Sequence, residues 1–141
     1  MSDDWVKDIN DMHAHYGFHE RVAALTPEQK MEMLSFRMRF LKEELRELGT
    51  AIEEGNSEEV VDALIDLCVV AIGTLDLYGV DAKKAWDSVH RANMSKQPGV
   101  KASRPNPLGL PDLIKPDGWE GPDHTGNHGT LPEAFSVGIE E

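Results

Sequence analysis

At 141 residues the chain is long enough for one domain with a modest core. Hydrophobic residues make up 40% and aromatics 6%, and the apolar set is mostly Leu, Val, Ala, Met and Ile, which suits helices. A net charge of −12 argues against a nucleic-acid polymer as the main ligand, because phosphate backbones are gripped by clustered Lys and Arg; a small nucleotide is not excluded, since acidic proteins hold phosphates through Mg²⁺.

No apolar run approaches the ~18 residues of a membrane span, so no membrane association is expected. The acidic start MSDDWVKD lacks the apolar stretch of a signal peptide. Cys68 is the one cysteine, so no internal disulfide forms and a reducing, cytoplasmic setting is expected.

Trp5, Ile9, Met12 and Tyr16 recur at helical spacing and predict a helix over 3–16, ended by Gly17. His13, His15 and His19 cluster here; because an i, i+2 pair diverges on a helix, surface or substrate-contacting histidines are expected rather than a metal site. The next start is explicit: Thr26 caps, Pro27 takes the first helical position, and Gln29 completes a T-x-x-Q box. A long helix should run to about Glu54 and stop at Gly55-Asn56, with Met31, Leu34, Met38, Leu41, Leu45, Leu48 and Ile52 as its apolar stripe. Gly49 weakens it locally by about 1 kcal/mol against Ala.

So short a turn sends the next helix back antiparallel. That helix, with Asn56 and Glu59 as a second capping box, is apolar nearly all round between 59 and 73: Val60, Val61, Leu64, Ile65, Leu67, Val69, Val70 and Ile72. Such a pattern predicts a buried helix, with Gly73 marking a close contact and Gly79 the stop. Asp81 then caps a last helix over about 82–95, packing through Ala85, Trp86, Val89 and Met94. Residues 97–141 hold seven of the eight prolines and seven of the twelve glycines, with no helical period. The expected organisation is an all-α domain over 1–96 followed by an extended arm over 97–141.

The chemistry lies in acids placed where acids are costly. Glu59, Asp62 and Asp66 fall at i, i+3 and i+7, on one face of the apolar central helix. A buried carboxylate needs a cation side chain, a raised pKa or a metal ion. On the preceding helix, Glu43, Glu44 and Glu47 share a face and border the seam marked by Leu41, Leu45 and Leu48. The tight turn lets the two sets approach each other, with no Lys or Arg expected on the inner face. Like charges at that density repel strongly; divalent cations resolve the conflict, and all-oxygen ligands favour Mg²⁺, or Mn²⁺ in its place, over Zn²⁺. A solvated acidic face is the bland alternative. Arg91, Asn93 and Lys96, in VHRANMSK, end the last helix; with a metal they make a phosphate-binding set, and without one they merely complement a helix C-terminus.

Glu44-x-x-Glu47, a spacer, then Glu59-x-x-Asp62 resembles the E-x-x-E…E-x-x-D signature of the all-α nucleoside triphosphate pyrophosphohydrolases. Asp66 and HRANMSK bring the resemblance closest to MazG-like and phosphoribosyl-ATP pyrophosphohydrolase-like proteins, over about residues 30–96. KPDGW, residues 115–119, also resembles a segment of some of them. The resemblance implies a MazG-like helical bundle completed by assembly into a homodimer or homotetramer. It implies Mg²⁺-dependent cleavage of a nucleotide to monophosphate and pyrophosphate, in a bacterial cytoplasm or that of a host if the chain is phage-encoded. Carried over, Glu44, Glu47, Glu59 and Asp62 become metal ligands and Asp66 an additional one. Glu43 orients or deprotonates the attacking water beside Glu47, and Arg91, Asn93 and Lys96 hold phosphates. The base needs another grip: His13, Trp86 and Trp119 are the candidates, the last as a lid, with Trp5, His15, Phe18 and Phe36 behind them.

Three other readings compete. A di-iron bundle wants Glu-x-x-His on two helices, whereas this chain offers only Asp87-x-x-His90. A non-catalytic helical oligomer that binds metal or nucleotide keeps the acids for structure. Within the enzymes, phosphoribosyl-ATP is the alternative substrate to a canonical or aberrant (d)NTP.

Overall fold

A computed structural model describes residues 2–137. Helix α1, Trp5–His15, starts where the Asp4 carboxylate accepts from the Lys7 backbone N–H. After Gly17 the chain enters a short α2, Phe18–Ala23. Helix α3, Pro27–Glu54, is 28 residues long, about 42 Å at 1.5 Å per residue. Its capping box forms as the sequence predicts: the Thr26 hydroxyl accepts from Gln29 N–H, and the Gln29 side chain accepts from Thr26 N–H. It ends at Gly55 in the left-handed region, φ 64°, a conformation that costs glycine nothing. Asn56 caps α4, Ser57–Leu77, by accepting from Glu59 N–H.

The turn closes α3 and α4 into an antiparallel hairpin. Its contacts march in opposite directions along the two helices. Tyr78, just past α4, donates its hydroxyl to the Lys30 carbonyl; Arg37 bonds the Val70 carbonyl and the Thr74 hydroxyl, 3.0 Å each; Glu44 faces Asp66. α1 packs on α4, and α2 on both. Buried positions are mostly small: Ala51, Ala63 and Gly73 sit in the helix seam, with Ile9, Val22 and Val70 around them. Small residues let the helix backbones come close.

The central helix is not buried in the way its composition predicts. Only Ala63, Val70 and Gly73 of α4 are buried, while Val61, Leu64 and Ile65 are 62%, 48% and 45% exposed. On α3, three members of the expected stripe, Met38, Leu45 and Ile52, are exposed as well. Three short helices, α1 and α2 on α4 and a last one on α3, leave part of each long helix uncovered; an all-round apolar helix needs neighbours on every side.

The chain divides into two compact units. One takes in the chain up to Ala82 and again from His128; the other is Lys83–Asn127. This differs from a boundary at residue 96, and the hydrogen bonds say why. Most of helix α5, Ala82–Met94, belongs with the Pro/Gly-rich segment: Trp119 Nε1–H donates to the Ala92 carbonyl at 2.9 Å, Arg91 to the Gly121 carbonyl at 2.9 Å, and Asp123 N–H to the Ser88 hydroxyl at 2.9 Å. Within that unit β1, Gln97–Gly99, pairs antiparallel with β2, Asp112–Ile114. The last element, α6, Leu131–Phe135, packs on α3 in the first unit, where buried Lys30 meets Glu133. Among the described residues, no helix is long and apolar enough to cross a membrane.

Candidate active site

The helix hairpin brings most of the expected acids into one neighbourhood. Glu43, Glu44 and Glu47 stand on α3, and Glu59, Asp62 and Asp66 on α4. Glu44 is the buried member, 8% exposed, and its Oε2 has no hydrogen-bond partner. Burial, then repulsion from Glu47 and Asp66, pushes its carboxyl above the usual carboxylate range. Asp66 is raised for the same kinds of reason: its desolvation first, then the neighbouring Asp62. Glu47 beside Glu44, and Asp62 beside Asp66, add to the rise of each of these two carboxyls.

Glu59 reaches the group along its edge. With Glu43, Glu47, Glu54, Thr50 and Arg46 it lines a cleft of about 310 Å³. Arg46 is a cation that the sequence pattern did not put on this face. A second cleft, of about 440 Å³, shares Glu43 and Arg46 and adds Phe36, Phe40, Arg39 and Lys42. Residues 36, 40, 43 and 46 fall at successive i+3/i+4 steps, with 39 three after 36, so one face of α3 carries aromatic rings, cations and an acid. Phe36 was among the ring candidates; Arg39 and Lys42 were readable from the same spacing and were missed.

The donor set fits a hard divalent cation. It offers carboxylate oxygens only, one of them buried and unpartnered. Among the described residues, no three of these acids bring an oxygen each within 4.8 Å of one another. Glu44, Glu47, Asp62 and Asp66 are the residues that would hold the ion, with Glu59 at the margin.

The remaining candidates stand elsewhere. His13 is buried in the first unit and bonded to Asp76, so it is withdrawn from the set of rings open to a base. Asp76 is the centre of a network that the sequence reading missed. Its Oδ2 accepts from His13 Nδ1 and His19 Nε2, 2.7 Å each, and its Oδ1 from Asn10 at 2.8 Å. Burial works to raise the Asp76 carboxyl, but the hydrogen bonds from Asn10, His13 and His19 together hold it below its ordinary value. Arg37 was missed too; it is half-buried, and desolvation lowers its pKa from the ordinary guanidinium value. The available signals were a charged residue inside the apolar run TLDLY and a lone Arg between Phe36 and Met38 on the helix seam.

Arg91, Asn93, Lys96, Trp86 and Trp119 belong to the second unit. There Lys96 and Lys115 place their ammonium groups 5.3 and 5.0 Å from the centroid of the Trp119 ring, within cation–π range. Trp86 is exposed on α5. Arg91 is engaged with the Gly121 carbonyl.

The mostly helical architecture is that of the MazG-like all-α pyrophosphohydrolases. The family model described as phosphoribosyl-ATP pyrophosphohydrolase matches residues 14–93, and the chain belongs to that family. It is thus a hydrolase acting on a pyrophosphate bond. The match takes in all six acids, Arg91 and Asn93, and stops short of Lys96 and Trp119. Among curated proteins no match was found.

Proposed function

We propose that the chain is a Mg²⁺-dependent pyrophosphohydrolase that cleaves a nucleoside triphosphate, or a related nucleotide bearing a triphosphate, to the monophosphate form and pyrophosphate. The observation that carries this reading is Glu44: a buried carboxylate with an unpartnered oxygen and raised pKa, set among Glu47, Asp62 and Asp66. A buried, unpartnered carboxylate among like charges is costly, and a bound cation relieves that cost.

A bound Mg²⁺ or Mn²⁺ would neutralise charge on phosphate oxygens and make water more acidic. The rest falls to the chain. Glu44, Glu47, Asp62 and Asp66 would hold the ion, with Glu59 at their edge, and the hairpin fixes their spacing. Glu43, exposed at the junction of the two clefts, orients the attacking water and takes its proton, with Glu47 beside it. Arg39, Lys42 and Arg46 offer positive charge along the same face, and Phe36 and Phe40 offer rings to a base. Lys96 and Asn93 keep a phosphate-binding role, and Trp119 a stacking one, in their own unit.

The substrate divides into two readings. A (d)NTP is the broader one. Phosphoribosyl-ATP is favoured by the description of the matching family, and that match supports it at least as well. Exposed apolar residues on both long helices support a homodimer or homotetramer in which the bundle is completed, in a cytoplasmic setting.

The test is a panel of (d)NTPs and phosphoribosyl-ATP, with Mg²⁺ and with EDTA, in which nucleotide products and pyrophosphate are both quantified. Monophosphate and pyrophosphate in equal amounts, lost with EDTA and in Glu47→Ala, are expected. Turnover of phosphoribosyl-ATP alone selects the second substrate. No turnover of any nucleotide would overturn the proposal and leave a non-catalytic metal- or nucleotide-binding protein.

A further inference from the structure

The acids of the hairpin are not the only ligand-type side chains that converge. The last turn of α4 carries Asp76, and two imidazoles from two other helices meet one of its oxygens. His13 comes from α1 and His19 from α2. Their ligand atoms, with Asp76 Oδ2, all lie within 4.8 Å of one another. The group is recessed: the side chains of His13 and Asp76 are 3% and 9% exposed, while that of His19 is 32% exposed and keeps one side open to water.

We infer that His13 Nδ1, His19 Nε2 and Asp76 Oδ2 form a binding site for a divalent transition-metal ion of the zinc type, which fastens α1 and α2 to the end of α4. The donor chemistry decides the class of ion. Two neutral imidazoles and one carboxylate select zinc, cobalt or nickel over the hard Mg²⁺ that oxygen-only sets prefer. The site is therefore chemically separate from the hairpin acids and independent of the function proposed for them.

The geometry needs only a small adjustment. Zinc–nitrogen and zinc–oxygen distances of about 2.0–2.2 Å put ligand atoms roughly 3.3–3.6 Å apart around a tetrahedron. Each nitrogen now lies 2.7 Å from Asp76 Oδ2, so both rings draw back by less than ~1 Å, on the scale of a small side-chain rotation. The protons also rearrange without net change. Each ring now donates from the nitrogen that faces Asp76; on binding, that proton moves to the far ring nitrogen and the near one offers its lone pair. Asn10 holds the other Asp76 oxygen at 2.8 Å, so the carboxylate presents one oxygen inward, as outer-shell partners of metal-binding carboxylates do. The open side at His19 leaves a fourth position for water. Gly73 keeps the space beside His13 clear: a Cβ there would come 3.3 Å from the ring Cε1 and 2.7 Å from Arg37 Nη2.

The full chain, stripped with chelator and held in millimolar Mg²⁺ to occupy the oxygen site, is titrated with Co²⁺. Visible absorption is the readout, because four-coordinate cobalt with imidazole ligands absorbs far more strongly than cobalt in water or among carboxylates. An intense band that saturates at one equivalent, is displaced by Zn²⁺, and persists in Glu44→Gln is expected. It should vanish in His19→Ala and Asp76→Asn, and the affinity should fall about 10–100-fold in Asn10→Ala. Zn²⁺ should also raise the Tm of the wild type and not that of His19→Ala. His19 is partly exposed, so that variant keeps the test decisive if Asp76→Asn fails to fold. No band, or one that survives in His19→Ala, overturns the inference and leaves Asp76 as a hydrogen-bonded clasp. A band lost in Glu44→Gln also overturns it, because the ion would then sit among the hairpin acids.

Discussion

Gly129→Ala offers a sharp test of how the first unit is closed. Gly129 has φ 54°, and a Cβ built on it would lie 1.9 Å from the Tyr78 carbonyl oxygen and 2.8 Å from Gly79 C. The obstacle is backbone, so no rotamer change relieves it. The left-handed conformation alone costs a non-glycine residue roughly 1–2 kcal/mol. Moving the chain away breaks the 2.7 Å bond from Thr130 N–H to the Tyr78 carbonyl and strands an acceptor on a residue that is 0% exposed, for about 1–3 kcal/mol more. A loss of roughly 2–5 kcal/mol follows, and at about 2.1 cal/mol/K per residue this lowers Tm by about 7–17 °C. Gly126→Ala is the control: φ is 77° but nothing lies within 4 Å of its Cβ, so only the conformational cost of about 1–2 kcal/mol remains. Far-ultraviolet circular dichroism melts of both variants decide the matter. A Gly129→Ala shift no larger than that of Gly126→Ala would refute the reasoning.

The candidate site yields three more expectations. Asp62→Asn should lower kcat/KM by about 100-fold or more and weaken Mg²⁺ binding, since it removes a ligand and the partner of Asp66; undiminished Mg²⁺-dependent turnover would take Asp62 out of the site. Glu44→Gln should raise Tm in EDTA at neutral pH while abolishing turnover. Because Glu44 has a raised folded-state pKa, its ionisation destabilises the fold as pH rises from the unfolded value through the folded one, so the gain should shrink toward acid pH. Equal melting curves for wild type and variant at every pH would contradict this. Lys96→Ala should cost about 10–100-fold in kcat/KM if its ammonium meets a phosphate; unchanged steady-state kinetics would remove that role.

What was legible in the sequence is what depends on near neighbours. The Thr26–Gln29 box and the stop at Gly55 involve residues within four positions and form as read; of the expected Asn56–Glu59 box only the Asn56 cap forms, because Asn56 N–H donates to the Ala51 carbonyl instead. The acids of the hairpin were legible for the same reason, since a two-residue turn fixes which faces of α3 and α4 can meet. α2 went unread because six residues hold less than two turns, too few for a period. β1 and β2 are three residues each, and their pairing of Gln97 with Ile114 depends on a long loop rather than on alternation. The Lys30–Glu133 contact spans 103 positions, and the Asp76 network draws donors from 57 to 66 positions away. Nothing local marks such partners. The apolar circumference of α4 was read correctly as composition; which neighbours stand against it is not written in the helix itself.

The bond between Thr130 and Tyr78 has a consequence for how the chain can be cut. Tyr78 precedes the Lys83–Asn127 segment and Thr130 follows it, so the point of departure and the point of return are stitched together inside the helical unit. In topological terms the segment is an insertion. Removing everything after residue 127 would not trim a tail: it would take away Thr130, the Glu133 partner of buried Lys30 and the buried Ala134. A deletion internal to the segment, with its two ends rejoined by a few flexible residues, leaves all three in place. The folding unit of this chain is thus discontinuous in sequence, and a minimal version of it has to be written as two stretches rather than one.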